Sequence, residues 1–128
     1  MKTVPLIKAA DARLTETPNA AMTTLASPTL GGSMLAMWRT NMEPGASGPV
    51  HTFDAEQIWT LEQGGATVVL DAVPYILAPG DTLVMPAGLV RQVLADPVAG
   101  MTALVVSTAG ARATLADGAD KGVPPWII

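Results

Sequence analysis

Eleven prolines and twelve glycines are spread along this 128-residue chain, and they cut its apolar residues into short runs. Proline cannot donate to a ladder or a helix interior, and glycine marks turns, so runs this short read as strands. The runs fall at 22–27, 34–42, 50–53, 57–63, 66–71, 73–78, 82–87, 91–95 and 101–108. They recur every 8–12 residues or so, the spacing of an antiparallel sandwich or barrel. No window carries a sustained helical stripe. Residues 109–121 could add one turn of helix, an assignment weakened by Gly110 and Gly118. Pro79-Gly80-Asp81 and Pro86-Ala87-Gly88 bracket a four-residue strand, Thr82 to Met85. Gly64-Gly65 suits a hairpin between the runs on either side of it, because glycine takes positive φ at little cost.

The length fits one domain spanning 1–128. Its barrel core is expected at about 34–108, with 1–33 and the tail 109–128 packed on the barrel or on a partner. The apolar ending VPPWII is the strongest reason to expect such docking. With 49% apolar and 14% charged residues, the chain can bury a proper core. It has no cysteine, which removes disulfides, thiolate metal sites and a cysteine nucleophile. The N-terminal stretch is interrupted by Pro5, Lys8, Asp11 and Arg13 and does not read as a signal peptide. No apolar run approaches the roughly 18 residues of a membrane helix. A cytoplasmic location is therefore expected, with no membrane partner. The net charge of −4, without a basic cluster, argues against nucleic acid.

The stretch GPVHTFDAEQIWTLEQGG, Gly48 to Gly65, holds the only histidine. Gly45 is followed by five residues and His51, then Phe53, then Gln57 and Gly64. Farther on, Gly80 leads through five residues to Pro86, then Gly88, Arg91 and Ala95. This spacing resembles the two motifs of the cupins, G-x5-H-x-H-x3,4-E-x6-G and G-x5-P-x-G-x2-H-x3-N. The resemblance implies an all-β fold, a single-domain antiparallel jelly-roll β-barrel. It also implies a divalent metal held by three histidines and a glutamate. Only His51 keeps its identity among those positions. Phe53 and Arg91 stand at two histidine positions, Gln57 at the glutamate and Ala95 at the asparagine. A phenyl ring has no lone pair and a guanidinium is a permanent cation without an acceptor. Such sites collect three or four ligands, so a metal at His51 and Gln57 is disfavoured and no cofactor is expected.

Side chains two apart on a strand share a face. If His51 points inward, so does Phe53; if Gln57 does, so does Trp59; Arg91 goes with Val93. Trp38 shares a face with Met34, Ala36, Thr40 and Met42, expected to be the inward one. The result is an apolar cup: Phe53, Trp59, Trp38, Met42 and Met85 as binding surface, with His51, Gln57 and Arg91 as catalytic groups on a small polar floor. Simpler readings stand beside these. Arg91 could pair with Asp54 or Glu56 at the rim, Gln57 could bond its neighbours, and the aromatic rings could be plain core packing.

The first expectation for function is binding of a small carbonyl or carboxylate compound, with metal-independent isomerase, cyclase or lyase chemistry by His51. A binding or sensing module without turnover is the alternative, and a metal-dependent dioxygenase-like protein the second. A homodimer is expected, because open barrels have sheet edges to cover and cupins often exchange strands between subunits.

Overall fold

Alternating burial along the chain produces a nearly all-β molecule. The computed structural model describes residues 4–128, so the first three residues of the N-terminal segment 1–33 lie outside the described residues. A 3-10 turn, Ala9–Asp11, precedes β1 (Arg13–Glu16), β2 (Ala21–Ala26), β3 (Leu35–Met42), β4 (His51–Phe53), β5 (Gln57–Gly64) and β6 (Ala66–Leu70). Then follow β7 (Val73–Leu77), β8 (Thr82–Met85), β9 (Arg91–Ala95), β10 (Met101–Thr108), β11 (Ala113–Leu115) and β12 (Asp120–Gly122). They form two six-stranded antiparallel sheets, ordered β1-β2-β3-β10-β5-β8 and β12-β11-β4-β9-β6-β7. This is the jelly-roll barrel expected from the sequence. Among the described residues no helix is long and apolar enough to cross a membrane.

The strand phases follow the period of two. On β3, Ala36, Trp38, Thr40 and Met42 are buried while Leu35, Met37 and Asn41 face out. Met34 was expected on that inward face. It precedes the strand and is 87% exposed. On β5 the inward residues are Gln57, Trp59 and Leu61, and on β9 they are Arg91, Val93 and Ala95. These faces and their β10 counterparts, Ala103 and Val105, build one core between the sheets.

Two local expectations are corrected. Residues 109–121 hold no helical turn; they supply β11 and β12, which extend the second sheet beyond β4. Their glycines at 110 and 118 take positive φ, which breaks a helix but ends a strand. Gly64-Gly65 is not a hairpin either. It carries the chain from β5 in one sheet to β6 in the other, so it is a corner. Gly64 sits at φ +74, and a Cβ there would run into the Gly100 carbonyl.

The C-terminal segment lies on the first sheet. Ile127 is fully buried in the core. Thr24 Oγ1 on β2 donates to Trp126 O at 2.8 Å, and Ser27 Oγ and Thr29 Oγ1 each donate to Ile128 O at 2.7 Å. Arg13 on β1 adds bonds to Pro125 O and Ile128 O. The tail thereby brings Trp126 to one end of the barrel.

Candidate functional site

Strand pairing gathers the motif residues. His51 on β4 stands opposite Arg91 on β9, and Gln57 on β5 stands opposite Met85 on β8. Between the sheets lies a cavity of about 630 Å³, well within the size range of small-molecule sites. His51, Gln57, Phe53, Trp59, Trp38 and Met42 all line it, together with Thr40, Met22 and Val93. Arg91 and Met85 do not. They lie within the barrel wall, fully buried, with Arg91 Nη1 3.5 Å from the Met85 sulfur.

His51 and Gln57 each have one side already engaged. His51 Nδ1 lies 2.8 Å from Pro49 O. A carbonyl only accepts, so Nδ1 carries the hydrogen and Nε2 is left with its lone pair. The indole Nε1–H of Trp59 donates to Gln57 Oε1 at 3.2 Å. Indole is donor-only, which fixes the amide: the oxygen faces Trp59 and the NH2 is free. That Nε2 is buried without a partner, and so is Thr40 Oγ1. Both residues line the cavity. An unmet buried polar group costs about 1–3 kcal/mol, so two of them on one cavity wall ask for a ligand or ordered water.

The electrostatics come from a cation beneath the cup. Arg91 is 1% exposed and has no carboxylate partner among the described residues. Its bonds go to neutral acceptors, Pro86 O at 3.1 Å and Leu89 O at 3.4 Å, and its guanidinium lies over the Phe53 ring at 5.6 Å. Phe53 in turn meets His51 edge-on, with ring centroids 5.2 Å apart at 81°. The rim pairing with Asp54 or Glu56 is not formed; Asp54 Oδ1 accepts from the Arg112 backbone N–H instead. Burial lowers the Arg91 pKa. Desolvation pushes His51 below its ordinary 6.5, the bond to Pro49 O partly opposes this, and the Arg91 charge adds to the depression. His51 is therefore held as the neutral imidazole.

The family's metal positions can be tested against this geometry. Phe53 offers no lone pair, and Arg91 brings a fixed positive charge opposite His51. Gln57 has its oxygen on an indole and only its NH2, a donor, left unpartnered. One imidazole nitrogen remains, and among the described residues no three His, Cys, Asp or Glu side chains group to hold an ion. This donor set does not fit a divalent metal.

Several lining residues were not singled out in the sequence. Thr17 to Ala20, the β1–β2 turn, and Lys121, Pro124, Pro125 and Trp126 form the mouth. The apolar tail was the one signal for them, and it said that the segment docks without saying where.

A family model described as a cupin domain matches residues 38–107. No curated protein matches the sequence. Among solved structures, the fold is similar to a sugar phosphate isomerase from a cupin superfamily of Silicibacter pomeroyi (22% identity, 88% of this chain and 82% of that one, TM-score 0.68). It is also similar to the polyketide cyclase RemF from Streptomyces resistomycificus (21% identity, 84% and 79%, TM-score 0.68). A third likeness is a cupin 2 domain-containing protein from Halorhodospira halophila (19% identity, 87% and 74%, TM-score 0.68). At such identities the likeness speaks for the fold alone. The family match covers more than half of the chain, from Trp38 on β3 to Ser107 on β10, and with it the motif spacing and the two-sheet barrel agree: the chain belongs to the cupins.

Proposed function

We propose that this cup binds a small, mostly apolar organic molecule with a carbonyl or enolisable oxygen and catalyses metal-independent proton transfer on it, of the isomerase or cyclase type. One observation carries the reading. His51 and Gln57 line the same cavity; His51 keeps a bare Nε2 and Gln57 an unpartnered NH2 buried in the lining, each fixed by the bond on its other side. A base from one sheet and a donor from the facing sheet, with a guest between them, are what enolisation needs. Nε2 takes the proton next to the carbonyl, the C–H electron pair becomes the C=C bond, the C=O π pair moves onto oxygen, and the Gln57 NH2 donates to that oxygen as its charge grows. Thr40 Oγ1 is a second donor for it. His51 then returns the proton at another carbon or to the product oxygen.

The walls restrict the ligand. Apart from His51, Gln57 and Thr40, the interior is aromatic and aliphatic, and no acidic residue lines it. A sugar phosphate would leave most of its hydroxyls without partners there, so the chemistry of the Silicibacter protein is a poor guide, and a flat hydrophobic ketone fits better.

The test uses phenylacetone in D2O. The protein, dialysed against EDTA, is expected to speed exchange of the methylene protons seen by NMR, and His51→Ala to remove that catalysis, about 100-fold or more. Exchange that disappears with chelation and returns with a divalent ion would overturn the metal-independent reading. Binding without exchange would make the protein a binding module.

A further inference from the structure

The cavity is chemically lopsided along its depth. Gln57 and Thr40, at 1% and 4% exposure, mark the bottom. At the mouth stands Lys121 on β12, the only formally charged residue on the wall among the described residues. Its neighbour Asp120 is held by Arg112 at 2.9 Å, and Lys121 itself forms no ion pair among the described residues. The chain as a whole is acidic, with a net charge of −4, yet its cavity shows no carboxylate and has a cation at its mouth. The indoles of Trp38, Trp59 and Trp126 supply the aromatic part of the lining, Trp126 on the side of the mouth.

We propose that the ligand is a flat, largely aromatic carboxylic acid bound in one orientation, with its carboxylate at the mouth against Lys121 and a hydroxyl or enol oxygen at the bottom. This rests on the reading of the cavity given above and adds the polarity and direction of its guest. The bottom oxygen gives its hydrogen to His51 Nε2 and accepts from Gln57 Nε2, meeting the orphaned amide. The carboxylate stays partly hydrated and pairs with an ammonium on a flexible stem, which tolerates different lengths of guest.

Three probes separate the ends: 6-hydroxy-2-naphthoate, its methyl ester, and 2-naphthoate, which lacks the hydroxyl. Isothermal titration calorimetry at low salt is expected to show the hydroxy acid binding about two- to fivefold tighter than its ester, the scale of one exposed ion pair. That advantage disappears in Lys121→Gln and in 0.5 M salt. Lys121 is exposed, so this variant keeps the fold. Losing the hydroxyl costs roughly three- to tenfold, the value of a buried hydrogen bond. Acid and ester binding equally, or an acid advantage untouched by Lys121→Gln, overturns the orientation and leaves the apolar cavity standing. If none of the three binds, the cavity reading falls together with it.

Discussion

His51 is the chain's one histidine, so its ring protons titrate by NMR without overlap. The wild-type curve is expected below 6.5, because burial disfavours the imidazolium before the Arg91 charge adds to the effect. Arg91→Met takes away the smaller cause only. The His51 value should then rise while staying under 6.5; no movement would show that the guanidinium does not reach the imidazole. Stability follows in sign. Between the folded value and 6.5 the unfolded chain holds a proton that the folded chain does not, so stability rises with pH across that window and is lost as pH falls through it. Catalysis should keep the same acid limb, since only neutral His51 is a base. At this scale the sequence was legible where motif position and strand phase agreed, as for His51, Gln57 and Trp59. Arg91 and Met85 are also buried, but neither stands on the cavity lining. Alternation gives the inward face, but it does not separate a side chain that reaches the cavity from one that stops in the wall behind Phe53.

Turns decide how these strands are joined, and one turn is made from unfavourable residues. Asp71 and Ala72, at φ +45 and +67, form the two-residue link between β6 and β7. Both positive values belong to a type I′ hairpin, which favours Asn-Gly. Asp71 is tied down: its N–H donates to Val90 O, and its Oδ1 accepts from Val90 N–H at 3.0 Å. Ala72 has no such compensation. Ala72→Gly is expected to stabilise the protein by about 0.5–1 kcal/mol, the left-handed strain relieved less the added freedom of the unfolded chain, read as a raised urea midpoint. The sequence placed a break between the two runs here but did not reveal a tight hairpin, because Asp71 is followed by Ala72 where a type I′ turn favours glycine. At Gly64-Gly65 the opposite happened. Two glycines looked like a hairpin, and tertiary packing against Gly100 uses them to change sheets.

The whole molecule closes through its last residues. Ile127 is fully buried, and Trp126 beside it joins the cavity wall. Ile127→Ala should cost about 3 kcal/mol by the usual cavity penalty and weaken probe binding as well, because the same segment packs the core and shapes the mouth. Calorimetric melting and the naphthoate titration read the two effects on one sample; a fall in stability with unchanged affinity would detach the tail from the site. The barrel itself was readable from punctuation and motif spacing, since both are local. The tail's place and the pairing of β11 with β4 were not, as those partners lie far away in sequence; β1 and β12 pair with their chain neighbours but are too short and polar to stand out as apolar runs. All three tryptophans of the chain stand on the cavity wall. The protein's tryptophan emission, excited at about 295 nm to leave out Tyr75, therefore comes entirely from the place where a guest would lie. An occupant that absorbs near 340 nm should dim nearly all of that light, and an unlabelled sample becomes its own optical sensor for screening compounds.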